Sequence, residues 1–175
     1  MTPQKFHIQM FSIHGLLRAE NMQLGHDADT GGQIKYVIEL CDALSQSEKV
    51  KRVELFTRLI HDKAVSEDYA RPVEQVNDKF SIVRIQCGGK KYMRKEMFWP
   101  HLDEYVDKTI KYIKRQNAIP DIVHGHYPDG GYVAMQLAEI FGIPFIYTGH
   151  SLGRSKLAQL INEGMKEKEI IKKYK

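Results

Sequence analysis

The residues with most chemistry to offer fall in four short segments. Asp27-Ala28-Asp29-Thr30-Gly31-Gly32-Gln33 places two glycines where a helix begins. Free backbone N–H groups at such a start suit anions and oxygen-rich ligands, and missing side chains allow close approach. Gly88-Gly89-Lys90-Lys91-Tyr92-Met93-Arg94-Lys95 packs four cations into six positions beside two glycines, a composition suited to a phosphate group. His124-Gly125-His126-Tyr127-Pro128-Asp129 sends two imidazoles to the same side of a strand. A zinc site needs further Cys or His ligands, which no cluster supplies; a polar pocket wall of Tyr127 and Asp129 is the better reading. Gly149-His150-Ser151-Leu152-Gly153 matches G-x-S-x-G, the hydrolase nucleophile elbow, and offers Ser151 as a nucleophile. An α/β-hydrolase would need an acid and then a histidine downstream. Glu163, Glu167 and Glu169 follow, but no histidine does, so the triad is incomplete in this chain.

These segments need elements to position them, and the apolar spacing supplies a strand–helix alternation. Residues 6–13 read as a buried first strand, followed by a polar loop over 14–30. Ile34, Val37, Ile38, Cys41 and Leu44 predict a helix over 31–46, with Thr30 and Gln33 as a capping box. Strands are expected at 52–58 and 80–86, with a long charged loop over 61–79. A helix from about Arg94 carries Phe98, Leu102, Tyr105, Val106, Ile110 and Ile113. A strand at 121–125, a helix ended by Gly142, a strand at 143–148 and one C-terminal helix complete the chain. This order predicts an α/β fold, a Rossmann-like doubly wound parallel sheet with helices on both faces and right-handed crossovers. In such sheets ligands bind beyond the carboxyl ends of the strands, here the loops expected at 14–32, 87–95, 126–130 and 149–156, which hold the four segments. A dinucleotide fingerprint is lacking, because Ile13 is followed by His14-Gly15-Leu16-Leu17-Arg18 rather than G-x-G-x-x-G.

The chain has 175 residues and a formal charge of +4, of which +3 lies in residues 166–175, leaving residues 1–165 at +1. A basic stripe with interleaved aromatics is lacking, which argues against nucleic acid as a partner. Two cysteines, Cys41 and Cys87, make no disulfide framework. No apolar run has the length of a membrane span, and no signal peptide is visible, so a soluble cytoplasmic protein is expected.

The segments also occur in a telling order. His14-Gly15-Leu16 with Glu20-Asn21-Met22, then Asp29 to Gln33, Trp99-Pro100, His124 to Tyr127 and Thr148 to Arg154 together resemble the opening of sucrose-phosphate synthases, from about Phe6 to Leu160. The resemblance implies the N-terminal, acceptor-binding lobe of a retaining GT-B glycosyltransferase. Such enzymes pass glucose from UDP-glucose to fructose 6-phosphate across a cleft between two Rossmann-like lobes, with no cofactor and no metal needed for transfer. On this resemblance residues 1–165 are the lobe and 166–175 the lysine-rich end of a truncated helix. The facing C-terminal donor lobe is missing, so the chain alone is expected to be inactive. His150 then resembles the histidine that hydrogen-bonds the transferred glucose. Gly31, Gly32 and Gln33 line the cleft, Lys95 holds the acceptor phosphate with Lys91 and Arg94 nearby, Tyr127 and Asp129 touch the acceptor sugar, and Lys156 is a cleft cation. Sucrose synthases look similar at Gly31-Gly32-Gln33 but use unphosphorylated fructose, and the basic segment favours the phosphorylated acceptor. A mannosylfructose-phosphate synthase-like lobe and a non-catalytic sugar-phosphate-binding module stand as alternatives, with the Ser151 hydrolase third.

Overall fold

The computed structural model describes residues 4–25, 30–151 and 153–174, without the side chains of 153–156 and 171–174. Strands β1 (Phe6–Phe11), β2 (Val50–Arg58), β3 (Val73–Gln75), β4 (Phe80–Ile85), β5 (Ile122–His126) and β6 (Phe145–Thr148) form one sheet in the order β3-β4-β2-β1-β5-β6. All neighbours pair in parallel except β3, which runs antiparallel to β4 with Val73 opposite Val83. The segment 61–79 is thus not simply a loop: it holds a 3-10 turn, Glu67–Ala70, and this edge strand. A strand of 3 residues is too short to show alternation in sequence. Arg84 on β4 anchors the segment, its buried guanidinium pairing with Glu74.

The period of two in the inner strands sorts side chains between two cores. Ile8 and Met10 of β1, Val53 and Leu55 of β2, and Phe80 and Ile82 of β4 meet helix α1 (Gly32–Ser45) through Ile34, Val37, Ile38 and Cys41. Phe11, Phe56, Val83 and Val123 point the other way. They pack against α3 (Leu102–Gln116) and α4 (Tyr127–Phe141) through Tyr105, Ile113, Val133 and Leu137. On that second face Glu54 is buried among polar partners: His7 and Gln9 lie 2.8 and 2.9 Å away, and Tyr112 donates its hydroxyl at 3.0 Å. Burial works against the Glu54 charge, but the His7 and Gln9 hydrogen bonds and the Arg52 charge leave its pKa below the ordinary value.

Four local expectations change. The helix expected from about Arg94 is broken into α2 (Lys95–Phe98), a 3-10 turn at Trp99–His101, and α3, because Pro100 lacks an N–H and its ring crowds the preceding turn. Gly31, not Thr30, is the N-cap of α1, with no side-chain cap bond. Gln33 instead directs its amide to the Ser12 hydroxyl at 3.3 Å. Residues 126–130 form no loop, since β5 passes straight into α4 through Tyr127 in a left-handed conformation (φ 63). The C-terminal segment is two helices, α5 (Gly153–Asn162) and α6 (Glu167–Tyr174), separated around Gly164 at φ 93. Gly142 does end α4, at φ 65. No helix among the described residues is long and apolar enough to cross a membrane.

Candidate functional site

The carboxyl ends of β1, β5 and β6 lie side by side in the sheet, so the residues that follow them are brought together by topology. After β1 comes His14, 8% exposed, whose Nδ1 lies 2.7 Å from Asp129 Oδ2 in the first turn of α4. Tyr127 sets its ring edge-on to His14, with centroids 4.9 Å apart. Lys95, at the start of α2, holds its ammonium 5.9 Å from the centre of the Tyr127 ring and 3.1 Å from Glu96. This is cation–π range. Among Lys90, Lys91, Arg94 and Lys95, only Lys95 is buried. Lys91 serves through its backbone, its carbonyl accepting from the Arg58 guanidinium, and Arg94 is the exposed N-cap of α2.

A second cluster adjoins the first. His124 and His126 project to the same side of β5, as alternation predicts, with ring centroids 4.2 Å apart. His124 Nε2 reaches the Thr148 hydroxyl at 2.8 Å, and His126 Nδ1 reaches His150 Nε2 at 2.8 Å. Tyr36 of α1 presents its ring to His150 and His126, with centroids 5.2 and 6.1 Å away. Burial, then the charges of His124 and His150, press the His126 pKa down to about 3. His124 and His150 are lowered too, each first by burial and then by His150 and His14 respectively. The cluster is therefore neutral imidazole near neutrality, a set of hydrogen-bonding groups rather than charges. Among the described residues no group of three or more His, Cys, Asp or Glu could hold a metal ion.

His150 occupies the G-x-S-x-G turn in a left-handed conformation, φ 53. In a hydrolase elbow the nucleophile stands on the strained turn. Here the strained residue is the histidine, and Ser151 only closes the turn, its N–H donating to the Gly149 carbonyl at 2.6 Å. Gly31 and Gly32 are exposed, and a Cβ on either would meet nothing within 4 Å. Gly31 has φ −92 and ψ −159, open to any residue. Neither packing nor backbone angle demands glycine at Gly31, and among the described residues nothing fills the space a side chain would take at either glycine.

Of the residues singled out from sequence, Lys95, Tyr127 and Asp129 join one cluster and His150 the adjoining one. Gln33 turns toward the end of β1. Lys91 and Arg94 stay at the rim, and the Lys156 side chain, like Asp27 and Asp29, lies outside the described residues. Asp129 is 1% exposed and sits beneath the wall rather than on it, with Oδ1 accepting the Gly130 N–H at 2.7 Å and Oδ2 at His14. Sequence reasoning assigned no site role to His14, His126 or Tyr36. His14 opens the matched His14-Gly15-Leu16 segment, His126 follows His124 at strand spacing, and Tyr36 stands one helical turn beyond Gln33, so each had a signal of position but none of partner.

A mostly parallel α/β lobe with polar and basic side chains gathered at the carboxyl ends of its strands is the class these observations define: a Rossmann-like domain. The chain belongs to the family described as the sucrose synthase first GT-B domain, whose pattern matches residues 1–175. It is 42% identical to the sucrose-phosphate synthase of Zea mays over 98% of this chain and 18% of that protein. It is also 42% identical to sucrose-phosphate synthase 4 of Arabidopsis thaliana, over 96% of this chain and 18% of that protein. Among solved structures, a sucrose-phosphate synthase from Thermosynechococcus elongatus superposes with a TM-score of 0.72 at 27% identity, covering 88% of this chain and 35% of that one. The chain thus spans less than a fifth of the length of these curated relatives.

Proposed function

We propose that this lobe forms the acceptor wall of a retaining glycosyltransferase that moves glucose from UDP-glucose to fructose 6-phosphate; its relatives are named sucrose-phosphate synthases. The observation that carries this reading is Lys95, the one buried cation of its basic segment, with its ammonium against the Tyr127 ring. A fixed positive charge beside an aromatic face suits a phosphorylated sugar better than a neutral one. Tyr127 borders the acceptor ring, Gly31 and Gly32 leave room for it, and Gln33 borders the same space. His150 hydrogen-bonds the hexose being transferred. Lys91 and Arg94 supply further positive charge near the phosphate, and Lys156 is a cleft cation beyond His150.

The chemistry asked of these residues is positioning and charge stabilisation. The leaving diphosphate is the base that takes the acceptor proton, and a facing donor lobe belongs to a protein of the relatives' length. No metal or resident cofactor enters this reading. The lobe is residues 1–165, followed by the lysine-rich segment 166–175 that holds α6. Calorimetry with fructose 6-phosphate and fructose tests the acceptor claim. Fructose 6-phosphate binds more tightly, by about tenfold or more for one charge-assisted contact, and Lys95→Ala removes the preference. Equal affinities in the unaltered chain sink the reading.

A further inference from the structure

We infer that His126 is a positioning residue that sets the tautomer of His150, so that neutral His150 carries its proton on Nδ1 and offers an N–H to its ligand. The functional meaning rests on reading His150 as a sugar contact; the tautomer itself does not.

The two rings meet through His126 Nδ1 and His150 Nε2, 2.8 Å apart. Between neutral imidazoles one nitrogen must donate and the other accept. His126 is 0% exposed, and its other nitrogen, Nε2, is buried with no hydrogen-bond partner. Were His150 the donor, His126 would accept at Nδ1 and carry its own proton on Nε2, burying an N–H that has no acceptor. With His126 as donor, only a lone pair is left unmatched at Nε2. Orphaned buried N–H groups are the rarer and more costly omission.

Among the described residues no other hydrogen-bond partner of His126 competes with His150. His124 stacks against it but is itself engaged with the Thr148 hydroxyl. Tyr36 meets both rings as an aromatic edge contact. Burial also opposes a second proton on His126. The consequence is directional. With Nε2 of His150 occupied as an acceptor, Nδ1–H is the group left for a ligand, and it can serve a hydroxyl oxygen or an anionic oxygen only by donating. The opposite tautomer would present a bare nitrogen and reject an oxyanion.

The test uses the 175-residue chain, 15N-labelled and ligand-free, at a pH above the imidazole range. Long-range 15N–1H correlation spectra report which nitrogen of each ring holds the proton. Both His126 and His150 are expected in the Nδ1–H form, with a coupling across the hydrogen bond from His126 Nδ1–H to His150 Nε2. His126→Phe keeps an aromatic ring and removes the donor, and is expected to move His150 to the Nε2–H form. Nε2–H on His150 in the unaltered chain overturns the inference, as does an unchanged Nδ1–H share in a folded His126→Phe chain. Should that variant fail to fold, the coupling in the unaltered chain decides alone. Because no ligand is present, this outcome is independent of whether fructose 6-phosphate binds.

Discussion

Asp129 has both carboxylate oxygens committed within the protein, one to His14 and one to the Gly130 N–H. Its task is therefore to hold His14 in place under Tyr127, and the side chains a ligand meets are those it supports. Removing it takes the carboxylate away from a buried imidazole. Asp129→Ala is expected to lower stability by about 3 kcal/mol, the usual cost of breaking a buried pair. Urea unfolding with an unchanged slope checks this. The sequence led us to expect Asp129 and Tyr127 in one polar wall, but the i, i+2 spacing could not show that Asp129 is the buried one. That depends on His14, 115 positions away in the chain.

At the scale of elements, the passage from β5 into α4 explains why a wall forms there. A Cβ on Gly130 would come within 2.2 Å of the Phe11 carbonyl oxygen, and one on Gly125 within 2.5 Å of the Gly130 carbonyl oxygen. The helix thus begins in direct backbone contact with β1 and β5, which carries Tyr127 and Asp129 to the strand ends. Gly130→Ala is expected to destabilise by about 3 kcal/mol or more, since backbone cannot give way as a flexible side chain can. Gly32→Ala is the counterpart: nothing stands near the added methyl, and alanine favours helix by up to about 1 kcal/mol. Its melting temperature should hold or rise while fructose 6-phosphate binding falls. A lowered melting temperature would return Gly32 to a structural role. The helices and inner strands were legible because their apolar periods are long; the antiparallel β3 and the break before Pro100 were not, because both are local overrides of a pattern.

For the molecule as a whole, the cluster of His124, His126 and His150 makes stability depend on pH in a defined direction, chiefly through the buried His126. His126 has an ordinary value of 6.5 unfolded and about 3 folded, so between those values the unfolded chain binds more protons. Stability from this residue is complete above pH 6.5 and is lost on acidification, by about 1.4 kcal/mol per pH unit for one proton. His124 and His150, also lowered, act with the same sign. Glu54, held below its ordinary 4.5 by its hydrogen bonds, titrates later. Urea unfolding between pH 6.5 and 4.5 should therefore show a steeper loss in the unaltered chain than in His126→Phe. Parallel curves would show that His126 takes up a proton in the folded state.

The amino-acid sequence determined the alternation of strands and helices, the confinement of the chemistry to segments after strands, and the motif order that resembles sucrose-phosphate synthases. Those are properties of neighbours in the chain: apolar period, glycine placement and local charge. The tertiary structure decided which of those residues meet. His14 with Asp129 and His126 with His150 come from strand ends set side by side by the order β1-β5-β6, while the segment after β4 brings Lys95 to Tyr127. Burial then made one lysine of a basic run the buried charge and one aspartate of a polar wall its hidden support, because desolvation and pairing depend on what packs around a group and not on what precedes it.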